Sequence, residues 1–180
     1  MKLAVSGSFS VGKTTLIQSL YKRFSEQSIQ VQVVSEAARD CPLPINKKQS
    51  IESSAWIFGT QIQRESVAAA EHPAGVIICD RSSLDIFGFI DSPSAEIIKQ
   101  PLFLAARAWL KTYDAIFFQT IDQDYPISND GIRLLDVQYR SDVERRLKEA
   151  YCLSGINPVF LQGETNSRID QILAFIGSSL

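Results

Sequence analysis

The stretch Gly7-Ser8-Phe9-Ser10-Val11-Gly12-Lys13-Thr14, followed by Thr15, fits the pattern G-x-x-x-x-G-K-[ST] without a gap or a substitution. Two glycines at this spacing let the backbone wrap until successive N–H groups point inward and form an anion nest. Lys13 has the reach to meet the outer phosphates of a bound chain. The Thr14 hydroxyl is placed to ligate a magnesium ion bridging two of those phosphates. A helix starting at this point turns its positive dipole end toward the same anion. The flanks agree: Lys2-Leu3-Ala4-Val5-Ser6 reads as a buried strand, and Leu16, Ile17, Leu20 and Phe24 recur at helical spacing after the loop. That context distinguishes the stretch from a Gly/Ser turn arising by chance.

Three further groups of residues carry chemistry. Asp80 closes the apolar run Gly75-Val76-Ile77-Ile78-Cys79, where a carboxylate belongs that holds magnesium opposite Thr14, directly or through water. Capping of the next turn, with Ser82 and Ser83, is its simpler role. Arg81 beside it either contacts a phosphate or pairs with an acidic neighbour. Glu36 stands at the end of another apolar run, beside the phosphate loop, where an acceptor would enter. There it takes a proton from an attacking hydroxyl or orients it; the plainer alternative is a surface pair with Arg39. The last group is Asn129-Asp130-Gly131-Ile132-Arg133 with Asp136, Tyr139 and Arg140. Arginines beside a glycine-containing segment suit a lid, since a guanidinium clamps phosphate oxygens bidentately. Arg145, Arg146 and Lys148 alternate with Glu144 and Glu149 and read as a solvated helix face.

These groups need elements to position them. The pattern predicts helices over about 13–26, 51–71, 94–113, 137–153 and 165–176. It predicts strands over 2–6, 30–35, 75–81, 114–120 and 157–162. The long second helix is opened by Asn46, Gln49 or Ser50 and stopped by Pro73, and Pro101 breaks or kinks the third. His72, beside Pro73, reads as a capping or surface residue. Strands alternating with helices give a parallel sheet covered on both faces, and ligands bind beyond the carboxyl ends of its strands. That rule selects the phosphate loop, Glu36 and Arg39, Asp80 and Arg81, and Gly163 with Glu164. Of the aromatics, Trp56 and Phe87 are the candidates to wall a planar acceptor.

The chain has 180 residues, enough for one domain with a full core, and its 45% apolar and 21% charged content is that of an ordinary globular protein. A formal net charge of -2 gives no field that would gather nucleic acid or an acidic membrane surface. Cys41, Cys79 and Cys152 match neither a disulfide framework nor a zinc site. A core strand starts at once and no apolar stretch has membrane-spanning length, so the expectation is a cytoplasmic protein.

In order, Gly7-x4-Gly12-Lys13-Thr14-Thr15, Ser35-Glu36-Ala37-Ala38-Arg39, a helix with Gln61 and Glu65, Asp80-Arg81-Ser82, Asp130-Gly131-Ile132-Arg133, Asp136, Tyr139-Arg140, and Gly163 with Arg168 form a recognisable series. The series resembles the AAA-type P-loop family that includes the ribosylnicotinamide kinase domain of NAD-biosynthesis regulators. More broadly it is similar to the deoxynucleoside and thymidylate kinases. The resemblance implies a three-layer α/β/α sandwich, with a five-stranded parallel sheet in the order 2-3-1-4-5 and a lid over about 121–140. It implies transfer of the γ-phosphoryl of ATP, with magnesium, to a nucleoside, a nucleotide or a ribosylnicotinamide-like acceptor. Glu36 is then the acceptor-side base or orienting group, Asp80 the magnesium carboxylate, and Arg133 and Arg140 lid residues. Gly163 to Arg168 would lie against the adenine, and Glu36, Arg39, Gln61, Arg64 and Arg81 would form the acceptor half. The alternative function is a regulatory ATPase or nucleotide switch that reports to a protein partner. An inert structural relative is disfavoured by the intact phosphate-contacting positions. A homodimer stays open.

Overall fold

The computed structural model describes residues 1–90, 96–122 and 136–179. Its centre is a parallel sheet of β1 (Lys2–Gly7), β2 (Val31–Val34), β3 (Val76–Asp80), β4 (Ala115–Gln119) and β5 (Val159–Leu161). The strands lie side by side in the order β2-β3-β1-β4-β5, as expected. Strand side chains alternate between faces, and this alternation sorts the core into two layers. Leu3, Val5, Ile78 and Phe117 pack with Leu16, Ile17, Leu20 and Phe24 of α1 (Lys13–Glu26) and with Ile169 and Ile172 of α5 (Thr165–Ser179). Ala4, Ile77, Cys79, Ile116 and Phe118 face the other way. There they meet α2 (Ile51–Glu71), α3 (Glu96–Trp109) and α4 (Val137–Ser154). Continuous apolar strands therefore mark a sheet covered on both faces.

The boundaries of α1 and α2 coincide with those read from the sequence. Of the three candidate openers of α2, Ser50 is the one used. Its Oγ accepts from the Ser53 amide at 3.3 Å while Ser53 Oγ accepts from the Ser50 amide at 2.7 Å. Asn46 instead opens a short 3-10 turn, Asn46–Lys48, with φ at 60°. Helix α3 continues through Pro101 to Trp109 rather than ending at it.

At the amino end of the strands, the fully buried Glu65 of α2 is the hub of an ion-pair network. Oε2 accepts from Lys2 Nζ at 2.8 Å and Trp109 Nε1 at 2.7 Å, and Oε1 from Gln61 Nε2 at 2.8 Å and the Tyr113 hydroxyl at 2.7 Å. A buried carboxylate supplied with this many donors ties α2 to β1 and to the end of α3. Removing it leaves a buried ammonium without a counter-charge. Glu65→Ala is expected to lower the unfolding free energy by about 3–5 kcal/mol, read as a fall in the urea midpoint.

Candidate functional site

The site gathers where β1, β3 and β4 end. Parallel pairing sets Val5 against Asp80 and Gly7 against Gln119, so the phosphate loop and the Asp80-Arg81 pair emerge side by side. A Cβ on Gly7 would stand 2.3 Å from the Gln119 carbonyl oxygen, and its φ is 134°, so only glycine fits. Gly12, at φ 87°, is the N-cap of α1. No side chain caps that helix and no acidic residue sits in its first turn. The opening amides of α1 are thus left for an anion. Thr14 and Thr15 are exposed on this turn, while Ser8, Phe9, Ser10, Val11 and Lys13 are buried.

Lys13 lies folded over the loop, its Nζ donating to the Gly7 carbonyl at 3.0 Å and the Ser8 carbonyl at 2.5 Å. Burial, then the neighbouring Arg81 guanidinium, push its ammonium down to about 7. From behind, Ser8 Oγ donates to the Arg140 carbonyl at 2.8 Å and Arg140 Nη2 donates to the Ser10 carbonyl at 3.1 Å. Arg168 Nη1 donates to the Val11 carbonyl at 3.4 Å, and its Nη2 lies 3.9 Å from Asp122. Arg140 and Arg168, expected at a lid and an adenine, thus both buttress the loop backbone. Gly163 makes the turn into α5 at φ 80°. Arg133 and nearly all of the expected lid, residues 123–135, lie outside the described residues.

Across the strand ends, Glu36 follows β2 and heads a short 3-10 turn, Ala37–Asp40. Its Oε1 accepts from Arg81 Nε at 2.5 Å and its Oε2 from Arg39 Nε at 3.2 Å. Burial works to raise its pKa, but Arg81 and Lys13 outweigh it and hold the carboxyl at about 2. Arg81 also donates from Nη1 to the Gly7 carbonyl at 3.2 Å and to Asp85 Oδ2 at 3.4 Å. Although burial opposes its charge, Glu36 and Asp85 stabilise it, so its pKa rises further. An open cleft lies over this pair. Its apolar walls are Phe9, Ile45, Ile57, Ile86 and Phe89, and Arg39, Asn46 and Gln49 stand among them. Past Arg81 and Asp85 a smaller recess reaches Gln61.

Of the expected acceptor residues, the structure brings Glu36, Arg39 and Arg81 to the cleft, and Gln61 to its inner recess. Arg64 is elsewhere: it donates to Ser35 Oγ at 3.2 Å and Asp40 Oδ2 at 2.8 Å, beside the edge strand. Nor do Trp56 and Phe87 line the cleft. Phe87 packs edge-on against Phe103, 5.4 Å away, within the core, because the turn that carries it aims Phe89 outward instead. Asp85, Phe89 and the Ile45–Gln49 segment were missed. For Asp85 a signal existed, an acid four residues after an arginine that closes a strand. For the segment there was none.

Asp80 is buried, and among the described residues its Oδ1 has no hydrogen-bond partner. Burial and then Glu36 raise its pKa. An orphaned carboxylate oxygen at the end of β3 and an exposed hydroxyl, Thr14, at the start of α1 are donors of the kind a hard cation takes, so these residues fit magnesium. Among the described residues no group of three or more His, Cys, Asp or Glu side chains could hold a metal ion. An ion here would share its shell with phosphate oxygens and water.

A family model described as an AAA domain matches residues 2–168. This chain belongs to the AAA domain family. Two solved structures share the fold of this AAA domain. Deoxyadenosine kinase from M. mycoides with the products dCMP and a flexible dCDP superposes with a TM-score of 0.72 at 14% identity, over 99% of this chain and 100% of that one. The same enzyme with bound dATP gives 0.70 at 15% identity, over 98% and 99%. At such identities the likeness is one of fold. No curated protein matches the chain. Among the described residues, no helix is long and apolar enough to cross a membrane.

The pairing of Glu36 has a sign in pH. Its folded pKa, about 2, lies below the ordinary value of 4.5. The stabilisation is therefore fully present above 4.5 and lost as pH falls toward 2. Glu36→Gln is expected to lower the Tm at pH 7, and its deficit against the wild type should close between those two values. A deficit independent of pH would mean that the carboxylate is not held by its arginines.

Proposed function

We propose that this chain is an ATP- and magnesium-dependent small-molecule kinase that transfers the γ-phosphoryl group to a nucleoside, a nucleotide or a ribosylnicotinamide-like acceptor. The whole chain would act as one domain. The observation that carries the reading is Arg81, which spans the two halves of the site. One edge of its guanidinium meets the Gly7 carbonyl of the phosphate loop and the other meets Glu36 in the cleft. A phosphate-binding loop alone serves hydrolysis as well as transfer. A carboxylate–arginine pair facing an apolar cleft beside that loop serves an acceptor. The nucleotides named with the M. mycoides deoxyadenosine kinase structures support an acceptor of this size and chemistry.

In this reading the opening amides of α1 cradle the phosphates, and Lys13 leaves the Gly7 and Ser8 carbonyls to reach them. Asp80 and Thr14 would hold the magnesium ion, which neutralises charge on the phosphate chain. Glu36 accepts a hydrogen bond from the attacking hydroxyl and points it in line. With a pKa near 2 it is a weak base, so orientation is its main service. Phe9 and Phe89 give a planar acceptor two apolar surfaces. Positioning and charge neutralisation supply most of the rate.

Labelled ATP with a panel of nucleosides and nucleotides tests this directly. The expected result is one class of phosphorylated acceptor. Lys13→Ala should abolish transfer, and Glu36→Gln should lower kcat about a hundredfold while sparing ATP binding. ATP consumed with no acceptor labelled across a broad panel would favour the regulatory ATPase instead. Full transfer by Glu36→Gln would remove Glu36 from the mechanism.

A further inference from the structure

Asp85 lies behind the cleft, where its main contacts are with the protein itself. We propose that it is a positioning residue, which orients the Arg81 guanidinium and through it Glu36. The kinetic side of this inference rests on the kinase reading above; the geometric side does not.

Asp85 begins a short 3-10 turn, Asp85–Gly88, and is 1% exposed. Its Oδ1 is crowded with donors. Ser6 Oγ donates at 2.7 Å, Ser82 Oγ at 2.9 Å, and the Ser82 amide and the Tyr151 hydroxyl each at 3.3 Å. The Ser82 and Tyr151 oxygens also lie 2.7 Å from each other. These groups come from β1, from the turn after β3 and from α4, so the carboxylate cannot rotate without breaking contacts to three elements. Its other oxygen, Oδ2, is thereby delivered to Arg81 Nη1 at 3.4 Å.

Arg81 needs such an anchor. Its backbone sits at φ 88°, a left-handed conformation unfavourable for a residue with a Cβ. That turn throws the side chain back across the end of β1. There the guanidinium lies over the Phe89 ring, 4.9 Å from Cζ to the ring centroid, and Nη1 meets both Gly7 and Asp85. With Nη1 held on the donor side, Nε is left pointing at Glu36. A purely structural Asp85 would require only the Oδ1 cluster, which an asparagine could preserve. The contact through Oδ2 is additional, and it is the one that reaches the site.

Asp85→Asn separates the two roles. Its carbonyl oxygen can still accept from the hydroxyls, but its amide turns a donor toward the donor Nη1. In the wild type the Arg81 Nε–H should give a resolved NMR resonance, protected from solvent exchange by Glu36. In Asp85→Asn that resonance should exchange at least about tenfold faster, and kcat should fall by a similar factor with little change in the KM for ATP. In an Arg81→Ala background the same substitution should have no further effect on kcat. An unchanged Nε–H resonance, or an additive loss in the double variant, would overturn the inference. If Asp85→Asn does not fold, Tyr151→Phe removes one of the orienting hydroxyls, and the same resonance decides: faster exchange supports the role and unchanged protection ends it. Faster exchange in a protein whose wild type phosphorylates no acceptor leaves Asp85's role standing and removes the kinase reading.

Discussion

A buried guanidinium cannot be left without partners, and the arrangement of this site follows from satisfying one. Arg81 directly follows strand β3 and is almost wholly enclosed. Its charge is met by Glu36 from the neighbouring strand end and by Asp85 from the following turn. Its remaining reach goes to the carbonyl of Gly7, the same oxygen that Lys13 occupies at 3.0 Å. One backbone carbonyl thus receives a cation from each half of the site. The strand order puts β3 between β1 and β2, and only that position lets one side chain touch both the phosphate loop and Glu36.

The charges there are not independent. Lys13 and Arg81 lie among Glu36, Asp80 and Asp85, and these charges shift Lys13, Glu36, Asp80 and Arg81. The two cations depress Glu36 so far that it stays ionised, while burial and then Glu36 raise Asp80. In the proposed reading, a phosphate chain with its ion would give Lys13 a new partner and Asp80 a counter-charge.

Much of this was legible from residue types and spacing. Gly12 marks the start of α1 and Pro73 lies just past the end of α2, so those two limits were legible. The unbroken apolar run Val76-Ile77-Ile78-Cys79 declared a strand covered on both faces. The rule that ligands sit at strand ends brings Glu36, Asp80 and Arg81 together from sequence alone. What was not legible was direction. Arg64 and Arg39 flank the same cleft mouth in sequence logic, yet Arg64 is drawn away by Asp40. Phe87 and Phe89 are two residues apart, and only the shape of a 3-10 turn decides which ring faces the cleft. Asp85 depends on Ser6 and Tyr151, which stand 79 and 66 positions away. No local pattern encodes such partners.

Phe9 belongs to the phosphate loop by sequence, yet its ring walls the apolar cleft and stacks at a tilt on Tyr139, 5.8 Å away. One side chain therefore serves the loop, the cleft wall and the helix behind them. A replacement that widened the cleft would also loosen the loop. Under the proposed kinase reading, a lineage that changed its acceptor at this wall would have to re-tune its donor grip in the same step, or make the change at Phe89 instead.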